Sequence, residues 1–182
     1  GKSLCYQIPA LLLSGITLVV SPLISLMKDQ VSTLNQAGIH AAFLNSSLSA
    51  AQYRKALGFA MEGRYKIIYV APERLLTPEF LDFAVHAKIA MVAVDEAHCV
   101  SQWGQDFRPG YLKIEEFLCT LPKRPVVSAF TATATAEVRD DIIDLLKLQD
   151  PVVTTTGFDR PNLYFEVQSP KDKYAAVKTY IE

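Results

Sequence analysis

The stretch Met91-Val92-Ala93-Val94-Asp95-Glu96-Ala97-His98 decides how this chain is read. Apolar or small residues run directly into two adjacent acids, a small residue and a histidine. An apolar run of this length reads as a strand buried on both faces. That predicts an α/β fold with a parallel sheet and helices on both faces. Carboxylates at the end of a buried strand are costly unless something cationic meets them. Ligands of open α/β sheets bind just beyond the carboxyl ends of the strands. The simplest assignment is a metal–nucleotide site. Asp95 would hold Mg²⁺, directly or through water, and Glu96 would polarise an attacking water. The competing reading is a strand that merely exits into a polar loop. Four specified residues recur by chance in on the order of one in a thousand chains of this length, and placement after an apolar strand makes coincidence rarer.

Working outward, the bulk composition suits one compact domain with a real core: 182 residues, 50% hydrophobic and 20% charged. The net charge of −1 carries no global basic signature, so any nucleic-acid contact must be local or lie elsewhere. No apolar run reaches membrane-spanning length and no signal peptide is evident. Cys5, Cys99 and Cys119 show no CxxC spacing, which fits reduced thiols in a cytosolic protein and indicates no zinc site. The chain starts at Gly1 with no initiator Met, as expected for a piece of something longer.

Gly1-Lys2-Ser3 opens a helical pattern carried by Leu4, Ile8, Leu11 and Leu12. GKS at a helix start matches the tail of the phosphate-binding loop GxxxxGK[ST]. There Lys2 would reach the β- and γ-phosphates, Ser3 would bind Mg²⁺, and the helix N-terminus would favour the anion. The tripeptide alone is a weak signal; the later acid pair strengthens it. Thr17–Ser21 reads as a strand, and Pro22 starts a helix carrying Leu23, Leu26, Met27, Val31 and Leu34 that Gly38 ends. Ser21 and Lys28 could touch a phosphate backbone, or be an N-cap and a solvated charge. Further strands are expected at Ile39–Leu44, Lys66–Val70, Pro125–Phe130, Val152–Thr154 and Tyr164–Val167. A capping box at Ser49-Ala50-Ala51-Gln52 starts a helix running to about Glu62, and Thr77-Pro78 caps a short one through about Val85. Arg74 could reach a phosphate or tie two loops by pairing with Glu73. Helices are also expected over Tyr111–Leu121, after Thr135, and from about Asp172 to the end.

The loop Cys99–Tyr111 holds the only tryptophan, Trp103, together with Phe107, Arg108 and Tyr111, with Gly104, Pro109 and Gly110 as breakers. Aromatic faces beside a guanidinium suit stacking on unpaired bases. The same residues could equally fold over the core. At Thr131-Ala132-Thr133-Ala134-Thr135, hydroxyls at a strand end could bond Asp95 or His98 and relay nucleotide state sideways, or simply cap the next helix.

Several stretches together resemble one family, the RecQ-type DNA helicases of helicase superfamily two, and within them the first RecA-like P-loop domain. GKSLCYQIPALLL is similar to the end of motif I, VVSPLISLMKDQV to motif Ia, YVAPERL to the motif Ib region and VDEAHC to motif II. SQWGQDFRPGY resembles the family's aromatic-rich loop, SAFTATAT motif III, and GFDRPNL the signature at the domain exit. DEAH also occurs in RNA helicases of the same superfamily; the tryptophan-to-FRP loop is far more specific. The resemblance implies an ATP- and Mg²⁺-dependent motor that moves 3′ to 5′ on single-stranded DNA and unwinds duplexes in recombination and repair, in the bacterial cytoplasm at the chromosome. Lys2 and Ser3 would bind phosphates and Mg²⁺, Asp95 would position Mg²⁺, and Glu96 would orient the hydrolytic water. His98 would link nucleotide state to Thr131 and Thr133, while Trp103, Phe107 and Arg108 would sense DNA. Gln105 stands where the family usually carries His; the amide keeps hydrogen bonding but loses titration near neutrality, which puts coupling in doubt. Gly110 replaces a bulkier, often acidic residue, implying a looser loop. The domain is expected over 1–156, with 157–182 a linker and the start of a second RecA-like domain. Without that domain's arginine finger, worth about 10³ to 10⁵ in rate in comparable NTPases, this stretch alone is expected to hydrolyse ATP negligibly. The alternatives are a superfamily-two RNA helicase or a non-hydrolysing nucleic-acid-binding module.

Overall fold

The computed structural model describes residues 1–155, 162–164 and 166–181. In chain order they form α1 (Lys2–Leu12), β1 (Ile16–Val20), α2 (Ile24–Gln36), β2 (Ala41–Leu44), α3 (Ala50–Met61), β3 (Ile67–Val70), α4 (Pro78–His86), β4 (Ile89–Val94), α5 (Lys113–Thr120), β5 (Val126–Ala129), α6 (Ala136–Leu145) and α7 (Lys173–Ile181). The chain divides into two units, Gly1–Pro151 and Val152–Glu182. The expected boundary between residues 156 and 157 and most of the GFDRPNL signature lie outside the described residues.

The first unit is built on a five-stranded sheet in the order β2-β3-β1-β4-β5, parallel throughout. Successive residues of a strand face opposite sides, and this divides the core in two. Leu18, Val20, Ile68, Val70, Val92 and Val94 join side chains of α3, α4, α5 and α6 on one face. Val19, Ile67, Tyr69, Met91 and Ala93 meet Tyr6 and Ala10 of α1 and Met27, Val31 and Leu34 of α2 on the other. Helices therefore cover both faces, as the doubly buried strands predict.

Local signals act as expected where they are chemically specific. Ser49 and Gln52 form the reciprocal capping box of α3, and the Thr135 hydroxyl accepts from Val138 N–H at the start of α6. The apolar pattern of α1 identifies the helix but not its buried face. Tyr6 and Ala10 are buried, whereas Leu4, Ile8, Leu11 and Leu12 are 58%, 55%, 44% and 82% exposed. The reason is aromatic packing: the Tyr6 ring sits against Phe130 at 5.5 Å and Tyr69 at 6.5 Å. One expected strand does not form, and another is only partly described. Val152–Thr154 takes no ladder, with Val152 95% exposed. Residues 164, 166 and 167 are likewise irregular, and 165 lies outside the described residues.

The topology explains what meets at the site. α1 leads the chain to the amino-terminal edge of the sheet, and the parallel β1 and β4 both return to the opposite edge. The start of α1 and the end of β4 thus share one edge, although they are far apart in sequence.

Candidate functional site

β4 ends by hydrogen bonding to β1, with Asp95 N–H donating to Val20 C=O at 2.9 Å. Glu96 then takes a left-handed conformation, φ 48°, which side chains other than glycine adopt at a cost. That turn sends the next residues into a 3-10 turn, Ala97–Val100. Asp95 is 5% exposed, and its Oδ1 accepts from Glu96 N–H at 3.1 Å. Burial, and then the neighbouring Glu96 charge, push the Asp95 carboxyl above the usual range; Lys2 and His98 pull it back less strongly. Below it, the buried Tyr111 hydroxyl donates to the Asp95 carbonyl at 2.9 Å. The sequence gives no signal for Tyr111 beyond its place in the loop.

Lys2 Nζ lies 2.5 Å from Glu96 Oε1. The start of α1 and the acid pair are therefore one cluster. Ser3 is half-buried next to Lys2, and Gly1 occupies the N-cap position of α1 with no side-chain cap. Their amides are free of intrahelical partners, as at any helix start.

His98 Nδ1 lies 2.8 Å from Thr131 Oγ1 and 3.5 Å from Glu96 Oε2. Thr131 Oγ1 also accepts from Thr133 N–H at 3.2 Å and donates to Thr133 C=O at 3.3 Å. Thr131 therefore joins the His98 ring to the Thr133 backbone. Thr131 thus meets His98 through its side chain, while Thr133 contributes backbone only.

The aromatic-rich loop sits beside this cluster. Trp103 is 80% exposed, Gln105 is exposed and Phe107 is half-buried. Arg108 does not stand free: its guanidinium holds Asp106 Oδ2 at 2.7 Å and donates to Pro22 C=O at 3.1 Å. The loop is thereby stitched to the segment that leads into α2. Gly110 takes no positive φ and lies in a 3-10 turn, Pro109–Leu112. A side chain there would meet Pro72 and Glu73 at ordinary contact distance.

Three other residues are expected from the sequence either at a phosphate backbone or in structural roles. Ser21 is buried with its hydroxyl unpartnered, and Leu23, not Ser21, occupies the N-cap position of α2. Lys28 is exposed on α2. Arg74 lies over the Tyr53 ring at 5.0 Å instead of pairing with Glu73. A cavity of about 630 Å³ opens at the opposite edge of the sheet, lined by Gly15, His40, Arg64, Lys66 and Lys88. The charged cluster lies away from this cavity.

Comparison with known proteins agrees with this geometry. The DEAD/DEAH box helicase family matches residues 1–142. The ATP-dependent DNA helicase RecQ of Bacillus subtilis is 49% identical over 182 residues, covering 100% of this chain and 31% of that protein. The protein of the same name from Pasteurella multocida is 49% identical over 165 residues, covering 91% of this chain and 26% of its own length. The chain spans about a third or less of either relative. Among solved structures, the helicase domain of Pyrococcus furiosus Hef superposes with a TM-score of 0.61 at 20% identity, covering 82% of this chain and 31% of that one, which shows a shared RecA-like fold. This chain therefore belongs to the DEAD/DEAH box helicase family and, within it, is of the RecQ type.

Proposed function

We propose that the chain is the nucleotide-binding part of a motor that couples ATP hydrolysis to 3′–5′ movement on single-stranded DNA and to duplex unwinding, together with a second RecA-like domain. The observation that carries this is the Lys2–Glu96 contact beside the buried Asp95, in a chain half identical to proteins named ATP-dependent DNA helicases. Such a motor would work at the chromosome, in the cytoplasm. Among the described residues no helix is long and apolar enough to cross a membrane.

The residues fit a magnesium–nucleotide complex. A carboxylate whose charge is opposed by both burial and an adjacent acid is completed by a cation. Mg²⁺ at NTPase sites takes one or two protein carboxylates and fills its shell with phosphate oxygens and water. Ser3 and Asp95 would hold the ion, which would offset phosphate charge.

Lys2 neutralises Glu96 until phosphates draw the ammonium away. Glu96 is then free to accept a proton from the attacking water. His98, fixed by Thr131, senses the state of Glu96 through the remaining carboxylate oxygen. Trp103 offers an exposed face to an unpaired base, while Phe107 and Arg108 hold the loop. Exposed Lys28 would meet phosphate; Ser21 and Arg74 would act by shaping their segments.

In the complete protein, Glu96→Gln should retain ATP binding and lose about 10² to 10⁴ in turnover. Parent-rate hydrolysis by that variant would remove Glu96 from the mechanism. Stimulation by single-stranded DNA should exceed stimulation by RNA, and the reverse result would favour the RNA-helicase reading.

A further inference from the structure

Ser101 directly follows the 3-10 turn of the acid cluster and is fully buried. Its hydroxyl donates to Asp141 Oδ2 at 2.6 Å, and its oxygen accepts the Trp103 N–H at 3.1 Å. Asp141 lies on α6, the helix capped by Thr135 and entered through Thr131. An O–H to carboxylate bond of this length is among the stronger hydrogen bonds. The loop is also closely folded at this point. Gly104 N–H donates to Ser101 C=O at 3.1 Å, and a Cβ on Gly104 would lie 2.3 Å from the His98 carbonyl oxygen. Ser101 N–H in turn donates to His98 C=O at 3.1 Å, and Cys99 N–H to Glu96 C=O at 2.9 Å.

Two links therefore join the acid segment to α6. His98–Thr131 acts at the entrance of the helix, and Ser101–Asp141 acts on its body. The second also holds the backbone of the exposed tryptophan. We propose that Asp141 is a positioning residue: it fixes the root of the aromatic-rich loop through Ser101, so that an unpaired base stacking on Trp103 pulls on α6 and on the Thr131 segment together. This rests on the reading of Trp103 as a DNA sensor and adds the element that receives its signal.

The experiment measures ATP hydrolysis of the complete protein, without DNA and across a titration of single-stranded DNA, for Asp141→Ala, Asp141→Asn, Ser101→Ala, Ser101→Ala with Asp141→Ala, and Trp103→Ala. Asp141→Ala should keep the DNA-free rate and raise the DNA concentration for half-maximal stimulation about tenfold. Asp141→Asn, whose amide oxygen still accepts from Ser101, should restore most of the response. Ser101→Ala should match Asp141→Ala, and the double variant should be no worse than either. A loss of basal and stimulated rates in equal proportion, or Asn performing no better than Ala, overturns the proposal. If Trp103→Ala is blunted while Asp141→Ala responds as the parent, the tether alone is wrong. If Trp103→Ala itself responds fully, the sensor reading fails and takes this inference with it.

Discussion

Asp95 shows how a single residue both threatens and defines the site. Its raised pKa means that the folded chain holds the carboxyl proton more tightly than the unfolded chain does. Stability of the nucleotide-free protein therefore falls as pH rises through the window between the ordinary aspartate value and the raised one, and the penalty persists at neutral pH. Asp95→Asn should raise the melting temperature of the nucleotide-free protein at neutral pH, with the gain vanishing in acid, while ending magnesium-dependent turnover. An unchanged or lower melting temperature at neutral pH would contradict the assigned burial cost. At this scale the sequence was most informative where residue chemistry is unusual. Adjacent acids after an apolar strand, and GKS before a helix, are hard to explain as packing. It was least informative for Ser21, whose buried hydroxyl has no partner, and for Arg74 and Arg108, which meet a ring and a carbonyl contributed by distant segments. Asp141 and Ser101 carry no local pattern at all.

Elements are set by periodicity, and α1 marks its limit. A helix with leucines on one side and Tyr6 on the other reads as leucine-inward, yet the tyrosine side packs. Leu12→Lys should change stability by within about 0.5 kcal/mol, whereas Tyr6→Ala should cost about 3–5 kcal/mol; urea denaturation of both variants checks the assignment. Gly15, between α1 and β1, passes unnoticed in sequence because a lone glycine near a turn is common. Its φ of +131° and the Lys88 carbonyl oxygen only 2.5 Å from a would-be Cβ make it obligatory. Gly15→Ala should destabilise by roughly 1–3 kcal/mol, read as a lowered urea midpoint, and a midpoint equal to the parent's would show that the β1–β4 entrance has slack.

For the whole molecule, every residue of both buried clusters comes from the first unit. Removing residues 152–182 should therefore leave the melting temperature within about 2–4 °C of the parent's, equivalent to a change of about 1 kcal/mol; a larger drop would mean that the second unit supports the first. The sequence by itself determined the parallel α/β class, the two-sided burial of its strands and the identity of the acid pair, because these follow from hydrophobic runs and residue chemistry along a continuous segment. Only the tertiary structure decided that Lys2 reaches Glu96, that His98 is held by Thr131, and that the tryptophan loop hangs from α6. Those contacts join residues 94, 33 and 40 positions apart. No one-dimensional periodicity reports the strand order that carries such partners to the same edge of a sheet.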